Sequence, residues 1–130
     1  MVLMVTGSRD WPQDQWPIIY NALSELRLRA ENRGEGFSVL HGGAKGADEI
    51  AADWADDQAL DYLVEEFPPD YEAHGKRAPH VRNDEMLRLA DYVVAFWDGK
   101  SRGTKSVIRK AQKLGIEYEV HSPKGVYVEV

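Results

Sequence analysis

The chain has 130 residues, a common size for one folding unit, and 43% of them are hydrophobic and 29% charged. Its net charge of −6 argues against a general nucleic-acid coat and a membrane-surface protein, because both usually need a cationic face. The sequence has no cysteine, which excludes a disulfide scaffold, a zinc ribbon, an iron–sulfur site and a thiol nucleophile. We therefore expect one domain over residues 1–130.

No segment approaches the ~20 apolar residues that a membrane-spanning helix needs. The first apolar run, residues 2–5, follows Met1 without a cationic segment or a cleavage pattern, so a secretory signal is not expected. These features predict a cytoplasmic protein that has no membrane partner.

The first half of the chain alternates predicted strands with predicted helices. Residues 2–5 are predicted to form the first strand. Apolar and polar residues do not alternate in it, which indicates a strand buried on both faces of the sheet. After a turn, apolar residues recur at helical spacing from Trp16 to Leu26. Residues 37–41 form the second strand, and a glycine-rich turn leads from it into a second helix.

The second half continues this alternation after an irregular interval. A weaker third strand is predicted over residues 62–64, and residues 67–80 form a polar loop of a length that is usually functional or mobile. A short helix carrying Met86 follows. Residues 92–97 are the clearest predicted strand in the chain. The helix after them is predicted to end at Gly115, because glycine readily adopts the left-handed backbone conformation that often ends a helix.

Residues 116–120 and 126–130 are predicted as two final strands, and the second of these could pair antiparallel at an edge of the sheet. The alternation as a whole is typical of a parallel sheet wrapped by helices. The predicted fold is α/β, a Rossmann-like three-layer sandwich with a mostly parallel sheet and helices on both faces.

Basic residues are concentrated in the loops at one predicted edge of this sheet. Ligands of open α/β sheets bind beyond the carboxyl ends of the strands. Loops at that edge hold eight of the sixteen basic residues, namely Arg9, Lys45, Lys76, Arg77, Arg82, Lys100, Arg102 and Lys105. An acidic chain that gathers its cations at one edge is predicted to bind an anion there, and phosphate is the natural candidate.

Two glycine-containing loops add to this prediction. Residues 42–46 precede the second helix, and Gly103-Thr104 precedes the helix after the fourth strand. Backbone N–H groups in such turns and at helix N-termini bind oxyanions. No G-x-G-x-x-G follows the first strand and no P-loop spacing occurs, which excludes a standard dinucleotide fingerprint and a P-loop NTPase.

Four motifs in order resemble the SLOG superfamily, in particular its small YspA-like branch, which is common in bacteria and their phages. The motifs are Gly7-Ser8-Arg9, His41-Gly42-Gly43-Ala44-Lys45-Gly46-Ala47-Asp48, Gly75-Lys76 with Arg82-Asn83, and Phe96-Trp97-Asp98 with Ser101 and Gly103-Thr104. The resemblance implies a Rossmann-like domain that binds nucleotides or molecules derived from them. Some relatives are enzymes, others are sensors, and one branch, DNA processing protein A, binds single-stranded DNA.

Loop chemistry and the resemblance together predict the ligand-binding residues. For Asp48 two alternatives stay open, a ligand role and stabilisation of the helix dipole. Trp11 and Tyr71 are candidates for stacking on a base. His41, His74, His80 and His121 lack metal-ligand spacing, so neither a metal nor a cofactor is predicted. The predicted phosphate- and ligand-binding residues are Gly7, Ser8, Arg9, Gly42, Gly43, Lys45, Gly46, Asp48, Lys76, Arg82, Asn83, Ser101, Gly103 and Thr104.

These residues support a module that binds or senses a phosphorylated nucleotide or a nucleotide-derived molecule. The alternative is a nucleotide N-glycosidase, with Arg82, Asp10 and Asp98 as candidate catalytic residues. It resembles the "lonely guy" phosphoribohydrolases, but Val107 stands where their motif has a glutamate. A second alternative, binding of single-stranded DNA, is disfavoured by the net charge and by the lack of an extended basic groove. A homodimer or higher homo-oligomer is expected.

Overall fold

The computed structural model describes residues 1–125. The strand predicted over residues 126–130, with its antiparallel pairing, lies outside the described residues. Within the described part of the chain, none of the helices combines the length and the apolar character that crossing a membrane requires.

Five parallel strands form one sheet in the order β3-β2-β1-β4-β5. The strands are β1 (Val2–Gly7), β2 (Ser38–His41), β3 (Val64–Glu66), β4 (Tyr92–Phe96) and β5 (Glu117–His121). The chain builds outward from β1 in one direction through β3 and then returns to add β4 on the other side. The strand order therefore reverses beside β1, which is where open α/β sheets leave a crevice for ligands.

Helices cover both faces of this sheet, as predicted for a three-layer sandwich. They are α1 (Trp16–Asn32), α2 (Ala47–Asp57), α3 (Tyr71–His74), α4 (Ala78–Leu89) and α5 (Arg102–Leu114). On one face α1 and α2 bury residues such as Leu23 and Trp54 against Val5. On the other face α4 and α5 bury Met86 and Val107 against the sheet. Burial on both faces explains why the central strands are continuously apolar.

The segment over residues 67–80 is not the irregular loop that the sequence predicted. It contains α3, a 3-10 turn over Gly75–Arg77 and the start of α4. The Asp70 side chain accepts a hydrogen bond from the Ala73 N–H and caps α3, while a proline in the first turn suits the start of α4. Arg82 and Asn83 consequently project from a helix.

The third strand also differs in its bounds. The structure places β3 over Val64–Glu66, and the preceding Asp61–Leu63 forms a 3-10 turn, so most of the strand predicted over residues 62–64 is not extended.

Candidate functional site

A cleft of about 590 Å³ lies beyond the carboxyl ends of β1 and β2, between the loop after β2, α4 and the N-terminus of α5. Glycines, cations and hydroxyls from these separate segments meet along its walls. The predicted site residues that line it are Gly7, Arg9, Gly42, Gly43, Lys45, Asp48, Tyr71, Arg82, Asn83, Ser101, Gly103 and Thr104.

Two predicted ligand residues serve packing instead. Ser8 is fully buried (0% exposed), and its Oγ accepts a hydrogen bond of 2.9 Å from the Asp98 N–H, which ties the loop after β1 to the loop after β4. Gly46 lies outside the cleft lining. Its φ is +82°, and a Cβ there would stand 2.6 Å from the carbonyl oxygen of Arg9. Ser8 has no surface left for a ligand, and Gly46 lets α2 start against the end of β1.

The prediction that Trp11 stacks on a base is wrong. Its side chain is 3% exposed, its ring packs edge-on against Phe96 at 5.7 Å, and its Nε1 donates to the Gln15 carbonyl at 3.1 Å. A buried ring offers no face to a ligand. Tyr71, by contrast, is 60% exposed and lines the cleft.

Three charged candidates do not line the cleft, namely Asp10, Lys76 and Asp98. Asp10 and Lys76 are exposed elsewhere on the surface. Asp98 Oδ1 accepts hydrogen bonds of 2.8 Å from the Lys100 and Ser101 N–H groups. Burial alone would raise the pKa of Asp98, but these bonds outweigh it and lower the pKa. The Asp98 carboxylate therefore shapes its own loop.

The glycine-rich loop after β2 is held from inside the protein. Asp48 Oδ2 accepts hydrogen bonds from the Gly42 N–H at 3.2 Å and the Ala44 N–H at 3.1 Å, and His41 Nδ1 accepts one from the Gly43 N–H at 3.0 Å. Three successive N–H groups that the sequence assigned to phosphate are thus already engaged. This missed role of Asp48 has a local signal, a carboxylate in the first turn of the helix that follows the loop.

The Asp48 carboxyl is 6% exposed, and burial raises its pKa to about 6. The hydrogen bonds from Ala44 and Gly42 and the charge of Arg82 act in the opposite direction but do not cancel the effect of burial. Its Oδ1 has no hydrogen-bond partner among the residues that the structure describes. Burial favours the neutral form of His41 as well and therefore lowers its pKa. A neutral ring agrees with the hydrogen bond that Nδ1 accepts.

Arg82 braces the same loop from the side of α4. Its Nη1 donates to the Gly42 carbonyl at 2.6 Å and to the Phe67 carbonyl at 3.3 Å. A Cβ at Gly42 would overlap this guanidinium, so the glycine permits the close approach. Arg82 therefore lines the cleft and also fixes the shape of its wall.

The N-terminus of α5 is the other wall. Ser101 caps the helix, with its Oγ accepting from the Thr104 N–H at 3.4 Å and lying 3.1 Å from Thr104 Oγ1. A Cβ at Gly103 would meet nothing within 4 Å, so the backbone there is open. Because a helix N-terminus carries unpaired N–H groups and partial positive charge, this end of α5 can receive an oxyanion.

The charge of the cleft is predominantly positive. Arg9, Lys45, Arg82 and Arg102 line it, and Asp48 is the carboxylate among its described lining residues. Val107 lies on the buried face of α5, and among residues 1–125 no group of three His, Asp or Glu side chains is arranged to hold a metal ion. The arrangement can bind an anion.

Comparisons with known proteins agree with this architecture. The sequence profile of the "YspA, cpYpsA-related SLOG family" matches residues 1–74. Gene 61 protein of Mycobacterium phage D29 is 40% identical over 118 residues, which cover 88% of this chain and 90% of that protein. DNA processing protein A from Helicobacter pylori superposes with a TM-score of 0.64 at 22% identity over 92% of this chain. This chain spans 64% of that neighbour, less than two thirds, and the likeness shows a shared fold.

Proposed function

The chain belongs to the YspA, cpYpsA-related SLOG family, and we propose that it binds a phosphorylated nucleotide or a nucleotide-derived molecule in the cleft. The observation that carries the proposal is the meeting of four cations with the open N-terminus of α5 in one cavity of about 590 Å³. This volume falls in the range of small-molecule sites. A phosphate supplies the negative charge that these groups favour.

We assign the phosphate to the N-terminus of α5 and not to the glycine-rich loop after β2. N–H groups of the first turn, around Arg102 and Gly103, remain for the ligand, whereas those of the loop are engaged by Asp48 and His41. Arg102 adds charge at the same end of the helix. Tyr71 is the exposed aromatic side chain that lines the cleft and is placed to stack on a base.

A panel of nucleotides tests the proposal by thermal melting. A ligand present at one hundred times its dissociation constant stabilises the folded protein by about 2.7 kcal/mol, which raises the melting temperature by roughly 10 °C for a chain of this size. We expect AMP, ADP-ribose or another phosphorylated member to produce such a shift and adenosine to produce none. A flat response to every phosphorylated member would overturn the proposal.

Gly103→Ala separates binding from folding. A methyl group there meets no protein atom within 4 Å and suits a helix, so stability should be unchanged or rise by up to about 1 kcal/mol. The methyl group covers the backbone that the phosphate approaches, so nucleotide affinity should fall at least about tenfold, a loss of about 1.4 kcal/mol. Gly36→Ala, also in open space but away from the cleft, is the matched control. Equal affinities of the two variants would contradict this placement.

The N-glycosidase alternative needs a carboxylate near the bond that breaks. Val107 is buried, Asp10 and Asp98 lie outside the cleft lining, and Asp48 Oδ2 is engaged by the loop. These positions favour binding over hydrolysis. Chromatography of the nucleotide-panel samples for a released base tests the alternative directly.

Single-stranded DNA is the second alternative ligand. The structure of DNA processing protein A was described for its binding of single-stranded DNA. A phosphodiester offers the same oxyanion as a nucleotide, and Arg102 at the mouth of the cleft begins a helix rich in basic residues. Competition between an oligonucleotide and the nucleotide that gives the largest melting shift tests whether they share the cleft.

A further inference from the structure

The outer face of α5 is strongly basic on an otherwise acidic chain. The helix has 13 residues, RGTKSVIRKAQKL, with five basic residues and no acidic one. The whole chain has 16 basic and 22 acidic residues. Nearly a third of all cations therefore lies on a tenth of the sequence.

Four of these cations lie in one row on the exposed side of α5. Its buried face consists of Thr104, Val107, Ile108 and Ala111. Steps of three, four and four residues separate the exposed side chains of Arg102, Lys105, Arg109 and Lys113, so they share one outward line of the helix. With a rise of 1.5 Å per residue, neighbouring charges are about 4.5–6 Å apart along the axis, and the line is about 16 Å long. These four residues are called the α5 basic face below.

Carboxylates do not neutralise the α5 basic face. Lys110, on the flank of the helix, pairs with Asp84 of α4 at 2.7 Å. Over residues 1–125, none of the four aligned cations has a carboxylate within 4.0 Å. Like charges four residues apart destabilise a helix by about 0.2–0.5 kcal/mol per pair. The row of cations is therefore unfavourable to the isolated protein and favourable to an anionic partner.

We propose that the α5 basic face binds the phosphate backbone of a single strand of nucleic acid. A straight row of evenly spaced cations matches a polymer whose negative charges also repeat, and Arg102 joins this row to the cleft. A strand on the row can thus place a phosphate at the N-terminus of α5. This site lies outside the cleft except for Arg102, and it does not depend on nucleotide binding there.

A single strand fits this surface better than a duplex does. The α5 basic face is a single line of charge, and the neighbouring α4 carries the carboxylates Asp84 and Glu85, the first of them 2.7 Å from Lys110. The second strand of a duplex would bring further phosphates toward these acids. The net charge of −6 weakens the attraction overall, and each phosphate contact releases counterions, so binding should weaken as salt is added.

Fluorescence anisotropy with labelled oligo-dT and oligo-U, twenty nucleotides each, tests the proposal. Four phosphate contacts predict a slope of log K against log salt of about −3 for a single strand. The Lys105→Gln, Arg109→Gln, Lys113→Gln triple variant should bind at least tenfold more weakly at low salt, with a slope near −1. Glutamine keeps helix propensity and removes the repulsion between the aligned cations, so the melting temperature without ligand should stay the same or rise slightly.

The matched control removes three charges elsewhere, with Arg27→Gln, Arg33→Gln and Lys124→Gln, and should bind like the wild type. A Lys105→Arg, Lys113→Arg variant should also keep its affinity, since it keeps the charge.

Equal losses in the two triple variants would show that only net charge matters and would overturn the proposal. So would the absence of binding to both oligonucleotides at low salt, or equally strong competition by polyglutamate, which would identify an acidic polypeptide as the partner. The nucleotide melting shift of the α5 triple variant, expected to persist, reports on the cleft separately.

Discussion

Gly46→Ala is expected to lower the free energy of unfolding by about 3 kcal/mol or more. Gly46 has φ +82° and ψ −120°, a conformation that side chains strain to adopt, which costs about 1–3 kcal/mol. A Cβ there would also overlap the carbonyl oxygens of Ser8 and Arg9, and overpacking costs a similar amount. The Ser8 carbonyl cannot easily move, because it accepts hydrogen bonds of 3.3 Å from the Trp11 and Ala47 N–H groups.

Urea unfolding of Gly46→Ala beside Gly36→Ala measures this effect. Gly36→Ala places its methyl group in open space and should stay within about 0.5 kcal/mol of the wild type. Since Gly46 is assigned to packing, the folded fraction of Gly46→Ala should still bind nucleotide. Wild-type stability together with lost nucleotide binding would instead restore Gly46 as a ligand residue.

The architecture was predictable because its signals are local and repeated. Continuous apolar runs identified β1 and β4, since both faces of the sheet are covered. The failure at residues 67–80 has a physical reason as well. Among its twelve residues α4 buries only Ala78, Met86 and Leu87, so apolar periodicity is weak over its first turns. Its start is marked instead by a proline, a residue that is also common in loops.

The location of the cleft was predictable, but the duties of individual residues were not. Ser8 and Trp11 follow the same strand as Arg9, yet packing against β4 and its loop buries both of them and leaves Arg9 at the cleft. This burial depends on β4 and the loop after it, which lie about ninety residues later in the chain. In the glycine-rich loop, composition predicted N–H donors correctly but could not show that Asp48 accepts two of them.

Relative to the wild type, Asp48→Asn is expected to gain about 3 kcal/mol of stability as the pH rises from 4 to 8. This value follows because burial raises the pKa of Asp48 from 3.8 to about 6, and each pKa unit corresponds to about 1.4 kcal/mol. The folded state holds the proton more tightly than the unfolded state. Stability from this group is therefore present below about pH 4, falls as the pH rises from about 4 to 6, and is lost above that range.

An asparagine keeps one side-chain oxygen to accept from the Gly42 and Ala44 N–H groups, and it carries no charge to bury. The difference in unfolding free energy between variant and wild type should accordingly grow by about 3 kcal/mol from pH 4 to pH 8. The side-chain NH2 of asparagine takes the place of the partnerless Oδ1, and an unpaired buried donor costs about 1–3 kcal/mol at every pH. Taking the difference removes titrations that both proteins share, including that of His41, whose lowered pKa makes stability fall toward acid pH. A difference that shrinks as the pH rises would mean that the attraction between ionised Asp48 and Arg82 outweighs burial. The carboxylate would then belong to an ion pair that holds the cleft wall, and its ionised form would stabilise the fold.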